Sequence, residues 1–336
     1  MAMTSIGDLS RSLILRQANI ATKAELTARA RELTTGMHND IPAALGGDTR
    51  PLSQIESRLA TLEAYARNGT ELSHRTDSMQ RSLEAMQSVA QSLGGNLVMA
   101  GTGPSRASLT AMTAQAQAQL ADVIGLINTG VGGRYLFGGT QVGTPPLPSA
   151  DDLLSAARAA IGGAASTADM IAAVTAFFDA PPGGDGFADT VYQGTTTPLT
   201  AALAPGQSVT IDANATSPAI REMLKGMTLM VLSTEAPWSG DIATQAKVVT
   251  AAGETLLGAD GSLSLLRGDI GVTEGAIARA QTRNNAETAA LGLARNDLVL
   301  VDKYEAAAAV TEAETQLEAI YSLTARLSRL SLAAYL

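Results

Sequence analysis

Between Ile55 and Leu97 the chain places Ile55, Arg58, Leu62, Tyr65, Gly69, Leu72, Thr76, Met79, Leu83, Met86, Ala90, Leu93 and Leu97 at alternating three- and four-residue steps. Most of these residues are apolar. The spacing matches the a/d seam of a helix packed along its whole length. Pro51 suits the first turn, with Asp48 or Thr49 as caps, and Gly94-Gly95 followed by Gly101-Thr-Gly-Pro104 reads as its end. At 1.5 Å per residue such a helix runs about 65–70 Å. Few globular folds accommodate that length, so the seam predicts an elongated, mainly α architecture.

A second helix is expected from a Ser105 cap to about Asn128, with Leu109, Met112, Ala116, Leu120, Val123 and Ile127 turned inward. The short connection makes it antiparallel to the first. From Gly130 the texture changes to glycine, a Tyr135-Leu136-Phe137 run and then Pro145, Pro146 and Pro148, which reads as a hairpin leaving the bundle. Helical stretches at Asp152–Ile161 and Met170–Phe178, short strand candidates at Val191-Tyr192 and Ser208–Ile211, and a helix begun by Ser217-Pro218 predict a small α+β insertion. Helix returns from about Asp241, breaks near Gly258–Gly261, and continues to the C-terminus. The division expected is 1–46 with 294–336 as a terminal coiled-coil domain, 47–143 with 237–293 as a rod-like bundle, and 144–236 as the inserted outer domain.

Both ends are amphipathic. Ile6, Leu9, Leu13 and Ile20 keep heptad spacing, interrupted by Arg16 and Lys23. Near the other end Leu317, Ile320, Leu323, Leu327, Leu330 and Ala334 continue a seam begun by Ala306, Ala309 and Ala313. Two such helices offer each other one narrow stripe, and isolated helices are marginal in water. The ends are therefore expected to be disordered in the monomer and to fold fully only when further helices surround them. Ile6, Leu9, Leu13, Ile20, Leu317, Ile320, Leu323, Leu327 and Leu330 are the candidate assembly interface.

Composition removes most competing chemistries. The 336 residues carry a formal charge of −9 with scattered cations, so no basic footprint for nucleic acid is visible. There is no cysteine and there are only two histidines, which removes thiolate nucleophiles, zinc–thiolate and iron–sulfur sites, and an all-histidine metal centre. Aromatics make up 3% of the chain, against the ring-lined pockets of most ligand sites. The first ten residues have no basic and apolar signal pattern, and no apolar run approaches a membrane span, so neither a cleaved leader nor membrane insertion is expected.

Individual candidates have structural readings that suit them better. His74 sits off the seam on a solvated face, and His38 lies at a helix-to-loop transition. Gly101-Thr-Gly-Pro-Ser105 lacks the lysine and preceding strand of a phosphate-binding loop. Asp151-Asp152 suits a helix N-terminus, and Asp179–Asp189 lacks EF-hand ligand spacing. No catalytic, cofactor or metal residue is assigned, and the chain is expected not to be an enzyme.

Several stretches carry a resemblance. Glu32-Leu-Thr-Thr-Gly-Met37, Gly133-Arg-Tyr-Leu-Phe-Gly-Gly-Thr140 with Pro145-Pro146, Ile270-Gly271, Asn284-Asn285, Asp302, and Ala325-Arg-Leu-Ser-Arg-Leu-Ser-Leu332 ending Ala-Tyr-Leu336 resemble the bacterial flagellin superfamily over about 1–145 and 240–336. Val191-Tyr-Gln-Gly194 is a weaker match inside the insertion. Asn39-Asp-Ile-Pro42 departs from the segment that follows the first helix in filament flagellins, and the chain is more similar to the hook–filament junction (hook-associated protein 3) branch. The resemblance implies a flagellin-like bundle acting as a structural adaptor. It implies a homo-oligomeric ring in the extracellular flagellum, with a neighbouring hook-associated protein and flagellin as partners. It also implies type III export without a cleaved signal and an export chaperone on the C-terminal helix. A divergent filament flagellin is the alternative, and an intracellular coiled-coil scaffold a more distant one.

Overall fold

The computed structural model describes residues 6–235 and 241–333, with side chains over 10–235 and 241–327. It is mainly helical. Helices α1 (Ile6–Thr35), α2 (Ile41–Ala44), α3 (Arg50–Thr102) and α4 (Arg106–Ile127) lead to a hairpin of β1 (Gly130–Val131) and β2 (Arg134–Tyr135). Then come α5 (Ala150–Ile161), α6 (Thr167–Asp179), α7 (Phe187–Thr190), a second hairpin of β3 (Leu199–Ala204) and β4 (Gln207–Ile211), and α8 (Pro218–Leu232). The chain closes with α9 (Ile242–Val299) and α10 (Lys303–Ala333). It divides into two compact units, residues 1–63 with 286–336 and residues 64–285.

In the 64–285 unit, α3 and α9 run antiparallel, with Gly69 against Gln281, Gly94 against Gly253 and Gly101 against Thr250. The predicted seam is the buried face of α3: Leu62, Leu72, Thr76, Met79, Leu83, Met86, Ala90, Leu93 and Leu97 are all enclosed. Leu109, Ala116, Leu120, Val123 and Ile127 are the buried face of α4, whose Ser105 cap accepts the Ser108 N–H at 3.1 Å. Helix α8 packs against α4, α5 and α6 and is buried on nearly every side. The rings of Phe177, Phe178 and Phe187 pack together, edge-to-face in the first pair and tilted in the second, with centroids 5.2 Å apart in each.

Four local expectations are corrected. Gly94-Gly95 does not end α3, which runs on to Thr102. A Cβ on Gly94 would meet the Gly253 carbonyl at 3.1 Å, so this glycine allows close approach of two helices and is no terminator. There is likewise no break at Gly258–Gly261. The buried Leu256, Ala259 and Leu263 on the other face outweigh the roughly 1 kcal/mol that a helical glycine costs. The helix that was expected to reach the C-terminus instead stops at Val299 and restarts at Lys303, because Asp302 caps α10 by accepting the Tyr304 N–H at 2.7 Å. Val191-Tyr192 is not a strand. The partner of β4 is the alanine-rich Leu199–Ala204, paired antiparallel across a Pro205-Gly206 turn.

Two of the segments that carried the resemblance, around Gly133–Thr140 and Val191–Gly194, fit together. Gly132 and Gly133 adopt left-handed backbone in the turn between β1 and β2. Arg75 from α3, itself buried, donates to the carbonyls of Tyr135 at 3.2 Å and Leu136 at 2.6 Å. Burial holds its pKa below the usual arginine range. Leu136 and Phe137 enter the core. The Val191–Gly194 stretch then knits onto the same segment. Thr195 N–H donates to Gly138 O at 3.0 Å, Gln193 N–H to Pro146 O at 2.9 Å, and the Tyr192 hydroxyl to Thr195 O at 2.8 Å. Burial pushes the Tyr192 phenol up to about 12.

Candidate assembly interface

The terminal helices lie in the other unit, where α1 and α10 pack against each other. Their mutual seam encloses small residues and half-buries larger ones. On α10, Ala306 and Ala313 are buried and Ala309, Leu317, Ile320 and Leu327 are half-buried. On α1, Thr22 is buried and Leu15, Ala18 and Leu26 are half-buried, at helical three- and four-residue steps. This inward stripe of α1 was missed in the sequence, where Ile6, Leu9, Leu13 and Ile20 present a second apolar stripe at heptad spacing.

That second stripe contains the predicted residues. Leu13 is 56% exposed and Ile20 62%, and Leu323 on α10 is 50% exposed. Ile14 is exposed as well. The candidate residues therefore split: Leu317, Ile320 and Leu327 face the partner helix in part, while Leu13, Ile20 and Leu323 face away. Ile6, Leu9 and Leu330 fall on these helices, but their side chains lie outside the described residues, as does Ala334 entirely. At the seam's edge Lys23 Nζ stands 5.7 Å from the centre of the Tyr321 ring. Its hydrogen bond to the phenol, with a lesser one from Asn19, lowers the Tyr321 pKa.

The near ends of the two helices are tied through backbone. Gly36, with φ +71°, closes α1 in the left-handed region and donates to Glu32 O at 2.7 Å. His38 N–H then donates to Val299 O at 3.0 Å, and Val301 N–H to Gly36 O at 3.1 Å, around a Met37–Leu300 bridge. The Glu32 carboxylate accepts the Asn39 N–H at 2.9 Å and the Arg29 guanidinium at 3.0 Å. The Asn39 bond is the main reason its pKa lies below the ordinary glutamate range. Asn39-Asp-Ile-Pro42 builds α2, whose Asp40 cap accepts the Ala43 N–H at 3.0 Å. Arg58 and Glu287 add a bidentate ion pair of 2.6 and 2.9 Å, with Arg295 and Glu56 at 3.4 Å beside it.

The acidic candidates elsewhere are occupied by other partners. Asp152 accepts the Ser149 hydroxyl at 2.6 Å at the start of α5, and Asp179 pairs with Lys225 at 3.0 Å. Asp189 accepts the Gly183 and Asp185 N–H groups at 2.9 and 3.1 Å, closing its own loop. His74 is exposed on α3. Among the described residues no helix is long and apolar enough to cross a membrane.

Residues 6–142 match the family described as the bacterial flagellin N-terminal helical region. Among solved structures, the FlgL protein of Bacillus cereus is similar with a TM-score of 0.52 and 16% identity, covering 73% of this chain and 100% of that one. A putative flagellar hook-associated protein from Vibrio parahaemolyticus aligns at 11% identity and a TM-score of 0.41, over 71% of this chain and 95% of that one. No curated protein sequence matches. The match to the flagellin N-terminal helical region thus covers residues 6–142, and the likeness in fold to the Bacillus cereus protein extends over 73% of the chain.

Proposed function

We propose that this chain is a non-enzymatic structural adaptor of the bacterial flagellum, joining hook to filament by self-assembly through its terminal helices. One observation carries the reading. The seam between the terminal helices encloses Thr22, Ala306 and Ala313 and half-buries Leu15, Leu26, Leu317, Ile320 and Leu327, while Leu13, Ile20 and Leu323 are exposed to solvent. Such an arrangement leaves large apolar side chains in water unless further helices cover the outer stripe. A ring of copies supplies them. In this reading residues 1–46 and 294–336 form the inner layer, 47–143 and 237–293 the rod, and 144–236 the outer domain. The partners are a neighbouring hook-associated protein and flagellin, reached after export through the type III channel with a chaperone on the C-terminal helix.

Divergent filament flagellin is the second reading, since the matched N-terminal region is that of flagellins. Quantitative mass spectrometry of purified flagella separates the two. A few copies per flagellum, together with release of unassembled flagellin into the medium on deletion of the gene, is the result expected for the adaptor. Thousands of copies along the filament would make the chain a flagellin and overturn the junction role.

A further inference from the structure

The β3–β4 hairpin is fastened to α9 by Asn284, whose side-chain amide donates to Leu203 O at 2.8 Å. Between the turn of the hairpin and the helix a groove of about 420 Å³ stays open. Leu203, Val209, Ala276 and Ala280 give it an aliphatic lining, and Ser208 adds a hydroxyl. Arg279 and Arg283 line it as well, and both are exposed.

These two arginines stand one helical turn apart on α9, a spacing that sets Cβ atoms about 5–6 Å apart and makes like charges repel. No carboxylate lines the groove to separate them, and neither guanidinium forms an ion pair with a described residue. Each is nevertheless positioned. Arg283 Nη2 donates to the side-chain oxygen of Gln207 on β4. Arg279 lies back along its own helix, where a Cβ on Gly275 would come within 3.3 Å of its Nη1 and meet nothing else within 4 Å. Glycine is a poor helix former, and here its bare backbone leaves room for that guanidinium.

On a chain with a net charge of −9, the groove is thus a local patch of unneutralised positive charge. Guanidinium groups are planar forks that donate paired N–H bonds to carboxylate and phosphate oxygens. Two of them side by side are neutralised by two negative charges, so a dianion fits better than a single carboxylate. The volume is larger than inorganic phosphate fills, and the aliphatic lining suits a short carbon body. We propose that the groove between the β3–β4 turn and α9 binds a small organic dianion, a phosphate monoester or a dicarboxylate, across Arg279 and Arg283. The site lies wholly within the 64–285 unit, so it stands or falls separately from assembly through the terminal helices.

Isothermal titration of the full-length protein at low salt with glycerol phosphate, glutarate and acetate tests the proposal. At least one of the two dianions is expected to saturate in the millimolar range or below, with acetate at least tenfold weaker. The tighter of the two dianions tells a phosphate ester from a dicarboxylate. Arg279→Gln and Arg283→Gln change exposed positions, and circular dichroism checks that each variant is folded. Each is expected to weaken binding about tenfold, and the double variant to abolish it. Arg279→Lys keeps the charge but loses the planar fork, so it too is expected to weaken binding, whereas Arg81→Gln on the exposed side of α3 is expected to leave it unchanged. Heats that saturate with neither dianion, acetate binding as tightly as the dianions, or equal binding by wild type and the double variant would overturn the inference.

Discussion

In the unit formed by residues 64–285, Phe137, Phe178 and Phe187 are fully enclosed, and a continuous apolar cluster runs from Leu72 to Ala280. In the unit formed by 1–63 and 286–336, the buried positions among the described residues of the terminal helices are Thr22, Glu32, Ala306 and Ala313, while Leu15, Leu26, Leu317, Ile320 and Leu327 are half-buried and Leu13, Ile14, Ile20 and Leu323 stand in solvent. The two units draw on similar helical sequence. They differ in where the large side chains fall relative to the nearest partner helix. The first unit encloses its large side chains, whereas the second encloses small ones and leaves several of its large ones in water.

The largest effect expected is on assembly. Leu13→Asp combined with Leu323→Asp alters only exposed positions of the single chain, so the 64–285 unit keeps its hydrogen-exchange protection while incorporation into flagella falls below detection. Normal filaments on motile cells carrying this variant would remove the contrast between the units. Hydrogen exchange on dilute wild-type protein sharpens the same contrast. Amides in 1–40 and 300–336 are expected to exchange fast and to become protected on assembly, and protection already present in the dilute chain would refute coupled folding.

Phe178→Ala works in the opposite direction. Removing a fully buried ring costs about 3–5 kcal/mol, readable as a lower urea midpoint, with the terminal helices untouched. A smaller loss is expected from Gly139→Ala. Its φ of +65° disfavours a side chain, and a Cβ there would collide with the Thr195 carbonyl, so about 1–3 kcal/mol is lost from the 64–285 unit alone.

The smallest effect concerns Glu32. Its folded pKa is depressed, so the stability it contributes is present at neutral pH and above the ordinary glutamate value. That contribution is lost as pH falls through the lower folded value. In the assembled state, where α1 is folded, the Glu32→Gln variant should therefore differ from wild type in thermal midpoint at pH 7 and converge with it in strong acid. A gap that widens on acidification would be inconsistent with this linkage.

Much of this was legible in the residues. The seam of α3, the Ser105 cap, the inward face of α4 and the helical spans of the insertion follow from periodicity and caps, which are local. The glycines were not legible in this way. Gly94 and Gly258 look alike in sequence, yet one sits at a helix crossing and the other is bare. The terminal stripe was recognised as apolar, but its direction was not, because an amphipathic helix does not say which of its faces will meet its partner.

The sequence by itself determined that the chain is mainly helical, poor in reactive groups and apolar at both ends, since composition and spacing act residue by residue. Only the tertiary structure decided which stripe each helix buries. It also decided that Arg75 and the Tyr192 segment fasten onto Gly133–Thr140, and that large apolar faces remain open on α1, α9 and α10. The physical reason is that burial is a property of pairs of elements. A single helix fixes the angle between its stripes, and the neighbour selects among them.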